Sequence, residues 1–328
     1  MHERPPFQTS APPILPPWGW SRRQLISRSS LWFSVVPRTF KPELLELCRS
    51  LARSGQSYET VARLKWPVAE LALYGEQLRN ELVGGSGIAY VVGLCSPEAD
   101  VPDEVLRWAY LLIGLQLGSP VSASTLLLDI TTRNTCSRNM DVLGRSPQAE
   151  TAFHTDSNPD GKVPDLVGAL CLRPAHQGGE YQVSSALRAR DVVWERAGHL
   201  VEELYAPWIR EGVQGSGRQP SRPVFSHQSG AFGLRFDYAR PGIEKGSLRA
   251  EQPLRPAQQR ALDHLDQALR DPAGCVQFQM RRGDMLFVNN HLIAHNRRPF
   301  DDSGADARRL MVRMWLATPG LRPATALG

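Results

Sequence analysis

The sequence predicts a mainly β fold with flanking helices, an α+β domain whose strands make a sandwich or jelly roll. Two observations carry this. Short apolar, β-branched runs recur after residue 120, each bounded by Gly, Pro, Asn or Asp. Before that point the apolar spacing is helical instead. With 41% hydrophobic residues over 328 positions, the chain can bury the core of one large domain.

The elements follow in order. Residues 1–25 hold the pairs Pro5-Pro6, Pro12-Pro13 and Pro16-Pro17 and read as a disordered, proline-rich arm. Residues 26–328 then read as a single domain. Leu44, Leu45, Leu47 and Leu51, then Val68, Leu71, Ala72 and Leu78, recur at helical spacing through residues 41–83. Ile88–Val92 is a buried strand, and residues 103–117 form a helix that follows Pro102 and stops at Gly118 and Pro120. Candidate strands come at 126–130, 166–172, 181–183, 232–236, 276–279, 285–288 and 310–316. Helical patterns interrupt them near 192–204 and 256–269. Residues 211–230, rich in Gly, Ser, Gln and Pro, read as a long lid-like loop.

Composition removes several classes of function. The net charge is +5, and all basic positions but four are arginine, yet no basic run marks a nucleic-acid footprint. Five scattered cysteines without a CxxC pair offer neither a disulfide framework nor a zinc ribbon. No apolar stretch is long enough for a membrane span, and the start of the chain lacks the basic and apolar regions of a signal peptide. A cytoplasmic protein without membrane or nucleic-acid partner is expected. The sequence does not address oligomeric state.

The chemistry begins at His154-Thr155-Asp156. Residues i and i+2 of an extended chain point to one face, so an imidazole and a carboxylate can converge on one ion. On its own the pair is common and equally suits a capped surface turn. A second segment, Arg282 to Arg297, runs through a Gly283-Asp284 turn and an apolar strand to His291 and His295. Either histidine can deliver a third ligand. Two histidines and one carboxylate form the facial set of non-haem iron oxygenases. Further on, Arg309 and Arg313 share one face of a strand, and a guanidinium can grip a carboxylate with two hydrogen bonds.

Together these pieces resemble the taurine dioxygenase (TauD/TfdA) and clavaminate synthase-like family of 2-oxoglutarate-dependent oxygenases. The matching stretches are Phe153-His154-Thr155-Asp156, Pro164-Asp165-Leu166 with Cys171-Leu172-Arg173-Pro174, Gly178-Gly179-Glu180, Gly283-Asp284-Met285-Leu286-Phe287 through Asn290 to His295, and Arg309-Leu310-Met311-Val312-Arg313. The resemblance implies a double-stranded β-helix, or jelly-roll, core. It implies Fe(II) held by His154, Asp156 and His295, with His295 preferred to His291 because Asn296-Arg297 follows it. It also implies 2-oxoglutarate as co-substrate, its far carboxylate on Arg309, and O2 as oxidant. Arg313 would meet the co-substrate or a substrate carboxylate. The implied reaction hydroxylates an unactivated C–H bond of a small molecule, plausibly an amino acid or natural-product intermediate, and releases succinate and CO2. Desaturation, cyclisation or epoxidation by the same machinery is the alternative, and a non-catalytic jelly-roll binding protein is a further one. Related halogenases carry Gly or Ala at the carboxylate position, so Asp156 implies no halogenation. Tyr181 departs from the family, which places Thr or Ser there beside the co-substrate. No Gly-x-Ser-x-Gly elbow supports a serine hydrolase.

Overall fold

The strand Leu310–Ala317 sets the plan of the molecule. Its alternation sends Leu310, Val312, Met314 and Leu316 into one apolar core, while Met311 and Trp315 face a second core on the other side. The neighbouring strand Leu166–Arg173 repeats the division. Leu166, Leu170 and Leu172 join the first core, and Val167, Ala169 and Cys171 the second. The computed structural model describes residues 17–64, 69–95, 101–121, 125–131, 150–157, 163–212, 220–227, 234–302, 308–318 and 321.

These two strands are the centre of a seven-stranded sheet. Its order is Phe33–Val35, Ile88–Val92, Met285–Asn289, Leu166–Arg173, Leu310–Ala317 and Ser119–Pro120, with Leu128–Thr131 also paired to Leu310–Ala317. All pairs are antiparallel except Phe33–Val35 on Ile88–Val92. The first core lies under the helices Lys41–Ser54, Ala69–Gly84 and Asp103–Leu117. Gly75 lets two of these helices touch: a Cβ there would stand 2.2 Å from Cβ of Gln116.

The second core lies between the large sheet and a three-stranded antiparallel sheet. That smaller sheet is ordered Cys275–Phe278, Tyr181–Ser185, Ile293–Arg297. The helices Ala186–Tyr205 and Pro256–Arg270 contribute to the same core. Ser185 ends a strand and starts a helix, its hydroxyl accepting from the Arg188 amide at 3.1 Å.

Three expectations change. The architecture is mixed α/β rather than mainly β. The helix Arg240–Arg249 went unforeseen because Pro241 reads as a breaker, whereas here it occupies the first turn, where its missing N–H costs nothing. The proline-rich arm was expected to reach residue 25, but Trp20 is buried and donates to the Ser86 carbonyl at 2.9 Å, and Arg22–Ser27 is helical with Ser21 as cap. Two large apolar side chains, Trp20 and Leu25, outweigh the prolines there; residues 1–16 lie outside the described residues. The expected loop 211–230 holds short strands: Ser221–Arg222 pairs with Trp208–Ile209, and Phe225–His227 with Leu234–Phe236. Val224 and Phe225 anchor them in the core, and residues 213–219 and 228–233 lie outside the described set. Among the described residues no helix is long and apolar enough to cross a membrane.

The helix contact at Gly75 predicts that Gly75→Ala will lower stability by about 1–3 kcal/mol through overpacking. A urea unfolding midpoint equal to that of the parent protein would disprove the tight crossing.

Candidate metal centre and co-substrate pocket

The first two site residues lie on an extended segment that continues the smaller sheet. His154 and His295 exchange backbone hydrogen bonds of 3.0 and 2.9 Å. On its other edge the Thr155 amide donates to the Tyr238 carbonyl at 2.8 Å. Phe153 and Thr155 are buried behind this segment. Alternation therefore turns His154 and Asp156 together to the opposite face, toward His295.

Their ligand atoms all lie within 4.8 Å of one another. Nε2 of His154 and Nε2 of His295 each stand 3.6 Å from Oδ1 of Asp156. That is too far for a hydrogen bond. Three donor atoms thus converge without satisfying each other, which is the arrangement a bound cation requires. The tautomer of His154 is fixed by chemistry. Nδ1 is 2.8 Å from the Ala152 carbonyl, which can only accept, so a neutral ring presents a bare Nε2 lone pair. Nδ1 of His295 is buried with no hydrogen-bond partner among the described residues.

Electrostatics favour the ligating forms. Burial alone would push the Asp156 carboxyl up, but the Arg313 guanidinium beside it holds it well below the usual carboxylate range. Burial, with the neighbouring His154 ring, pushes His295 down toward its neutral form. One carboxylate and two imidazoles make the donor set of a facial iron(II) site, so the residues present fit the metal.

Asp156 is also the most firmly held residue of the set. Asn290 clamps its backbone from both sides: the Asp156 amide donates to Oδ1 of Asn290 at 2.8 Å, and Nδ2 of Asn290 donates to the Asp156 carbonyl at 2.8 Å. The outer oxygen, Oδ2, accepts from Nη1 of Arg313 at 3.0 Å and from Nε1 of Trp315 at 2.7 Å. Asn290 stood in the sequence motif without a role, and Trp315 was only part of a strand. The same-face spacing of Arg313 and Trp315 was the one signal that could have joined them.

Arg309 has a different fate from Arg313. It is buried, and burial pushes its guanidinium below the usual arginine range, against the opposing influence of Tyr181, Cys171 and Asp302. Among the described residues no carboxylate forms an ion pair with it. It lines a pocket with Tyr181, Gly179, Met280, Met311 and Cys171. The Tyr181 ring is near-parallel to that of His295, with centroids 6.0 Å apart, so this pocket adjoins the metal ligands. Gly178 and Gly179 have φ of 74° and 73°, and a Cβ on Gly178 would stand 2.3 Å from the Pro299 carbonyl. The glycine pair thus lets the chain turn tightly at the pocket wall.

His291 is not brought to the centre. Its Nε2 is 2.9 Å from Oδ1 of buried Asp165, and the Thr318 amide donates to the other Asp165 oxygen at 2.9 Å. Gly283-Asp284 is structural: Asp284 accepts from the Tyr90 hydroxyl at 2.7 Å and from the Arg281 amide at 2.8 Å.

Two imidazoles and a carboxylate gathered between β-sheets, with a buried arginine nearby, define the site of a mononuclear non-haem iron oxygenase. The family model "Taurine catabolism dioxygenase TauD, TfdA family" matches residues 61–315, and the chain belongs to this family. It is 24% identical over 311 residues to FR-33289 synthase of Streptomyces rubellomurinus (strain ATCC 31215), covering 90% of this chain and 88% of that one. It is 29% identical over 184 residues to uridine-5'-phosphate dioxygenase of an Amycolatopsis species, covering 52% of this chain and 62% of the relative. Among solved structures, asparagine oxygenase with Fe(II), hydroxyasparagine and succinate aligns with a TM-score of 0.68 at 18% identity, over 88% of this chain and 94% of that one. The non-haem iron oxygenase OrfP with Fe and alpha-ketoglutaric acid aligns with a TM-score of 0.60 at 16% identity, over 87% and 93%. The protein is a 2-oxoglutarate-dependent dioxygenase of this family, with iron(II) as its metal.

The two downstream histidines separate cleanly. His295→Ala should abolish tight Fe(II) binding in an anaerobic titration. His291→Ala should keep that binding while losing about 1–3 kcal/mol of stability, because the buried hydrogen bond between His291 and Asp165 is lost. The reverse pattern would move the third ligand to His291.

Proposed function

We propose that this chain hydroxylates an unactivated C–H bond of a small molecule, an amino acid or natural-product intermediate, and releases succinate and CO2. The observation that carries the reading is a triad of metal-ligating atoms next to a buried arginine with no carboxylate of its own among the described residues. The relatives support the substrate class, since they include synthases and dioxygenases of small molecules and an asparagine oxygenase. The two facing sheets are read as the halves of a double-stranded β-helix core.

In this reading His154, Asp156 and His295 hold the metal. Iron(II) bound there supplies the activation of dioxygen, coupled to oxidative decarboxylation of the co-substrate. Arg309 receives the far carboxylate of 2-oxoglutarate, which neutralises a cation the fold leaves buried. Tyr181 takes the place of the family's Thr or Ser as hydroxyl donor. Burial pushes its phenol up to about 12, so it keeps its proton and donates at neutral pH. Met280 and Met311 line the same pocket and help to exclude water. Arg313, expected to meet a carboxylate of co-substrate or substrate, also gives one nitrogen to Asp156.

The direct test is succinate formation from 2-oxoglutarate with iron(II) and ascorbate, screened over amino acids and natural-product intermediates. Iron-loaded protein that forms no succinate above background, with or without any candidate substrate, refutes the reading. Arg309→Ala should raise the 2-oxoglutarate KM about 30- to 150-fold, the equivalent of 2–3 kcal/mol for a lost charged pair, without weakening metal affinity. Tyr181→Phe should raise it about 5- to 10-fold, as for one neutral hydrogen bond. An unchanged KM in either variant removes that residue from the pocket's machinery.

A further inference from the structure

We infer that Trp315 is a positioning residue that confines metal binding by Asp156 to its Oδ1 atom. The inference rests on the metal-centre reading above and adds a determinant of how the carboxylate binds. A carboxylate can meet an ion through one oxygen or both. Which it does depends on what occupies the second oxygen. Here Oδ2 accepts from Nε1 of Trp315 at 2.7 Å and from Nη1 of Arg313 at 3.0 Å. An oxygen of this kind offers about two lone-pair directions, so these two donors fill it. Oδ1 is the atom turned to both imidazoles, at 3.6 Å from each Nε2.

Trp315 has two properties that suit the task. Its indole N–H is a neutral donor that cannot accept or titrate, so it neither competes for the metal nor changes with pH. Its ring also positions the second donor: the Arg313 guanidinium lies over it, 4.3 Å from the centroid. One side chain thus supplies one hydrogen bond to Oδ2 and orients the other. Asn290 fixes the Asp156 main chain on both sides, so the carboxylate can respond only by rotating about its own side-chain bonds. Removing the N–H frees one direction on Oδ2 for the metal. The cost falls on the reaction, because a two-oxygen carboxylate takes one of the three positions that a facial triad leaves open.

The test uses the full chain loaded with Mn(II) and counts metal-bound waters by oxygen-17 broadening of its electron paramagnetic resonance lines. The parent should show about three, the number a one-oxygen facial triad leaves open. Two variants are compared with it. Trp315→Phe removes the donor and part of the ring. Site-specific replacement of Trp315 by β-(3-benzothienyl)alanine removes only the N–H and keeps the shape and the stack with Arg313. Loss of one bound water in the benzothienyl protein is the expected result, and the Phe variant, if folded, should match it. A structural role alone would not move this number, so a benzothienyl protein with the parent's water count overturns the inference. A parent that holds no Mn(II) overturns both this inference and the metal-centre reading. A parent that holds Mn(II) with the expected waters but forms no succinate with iron(II) overturns the oxygenase reading alone.

Discussion

A buried carboxylate is the constraint around which this molecule is arranged. Asp156 lies between two sheets, where an unpaired charge would neutralise itself by taking up a proton. It stays ionised because Arg313 and Trp315 donate to one oxygen, while its main chain is clamped by Asn290. Those partners come from one strand and one turn more than 130 residues downstream, so the carboxylate is held only when the sheets are assembled. Metal affinity and folding are therefore coupled through one residue.

The period of a β-strand explains how so many polar groups can meet in an apolar interior. On Leu310–Ala317 the even positions close the core under the helices, and the odd ones face the site. Phe153 and Thr155 do the same for His154 and Asp156. Each polar group thus stands between apolar neighbours that seal the layer behind it. A one-residue slip of Leu310–Ala317 would turn Arg313 and Trp315 into the core under the helices, and a slip of the His154 segment would turn its ligands into the packing around Phe153, so register is enforced by packing rather than by the site itself.

This logic shows what was legible in the sequence. His154, Asp156 and His295, which the structure brings together, could be read because strand period and motif spacing are local patterns. The preference for His295 over His291 comes through the family resemblance, from the Asn296-Arg297 that follows it, whereas the physical ground is Asp165, 126 positions away, which pairs with His291. Asn290 and Trp315 were hidden for the same reason. Nothing local marks Asn290, in the turn after Met285–Asn289, as a clamp, and Trp315 shows only its same-face spacing with Arg313. Composition misled at Trp20, where a proline-rich stretch conceals one buried indole with a distant carbonyl partner.

Arg309 and Arg313 lie four residues apart on one strand, yet their energetics are opposite. Arg313 faces a carboxylate at 3.0 Å, so its burial is compensated within the fold. Among the described residues Arg309 is buried without a carboxylate ion pair, and the Phe300 ring, 5.3 Å from its guanidinium carbon, with Tyr181, Cys171 and Asp302, offsets desolvation only in part. An uncompensated buried cation costs several kcal/mol of stability. A chain keeps such a cost where an anion from outside recovers it, and a ligand bearing a carboxylate then binds with the fold's own deficit as part of its affinity. The same deficit discriminates, because a neutral ligand in the pocket leaves the guanidinium unpaired. One strand thus carries Arg313, whose charge is met at folding by Asp156, and Arg309, whose charge has no carboxylate ion pair among the described residues.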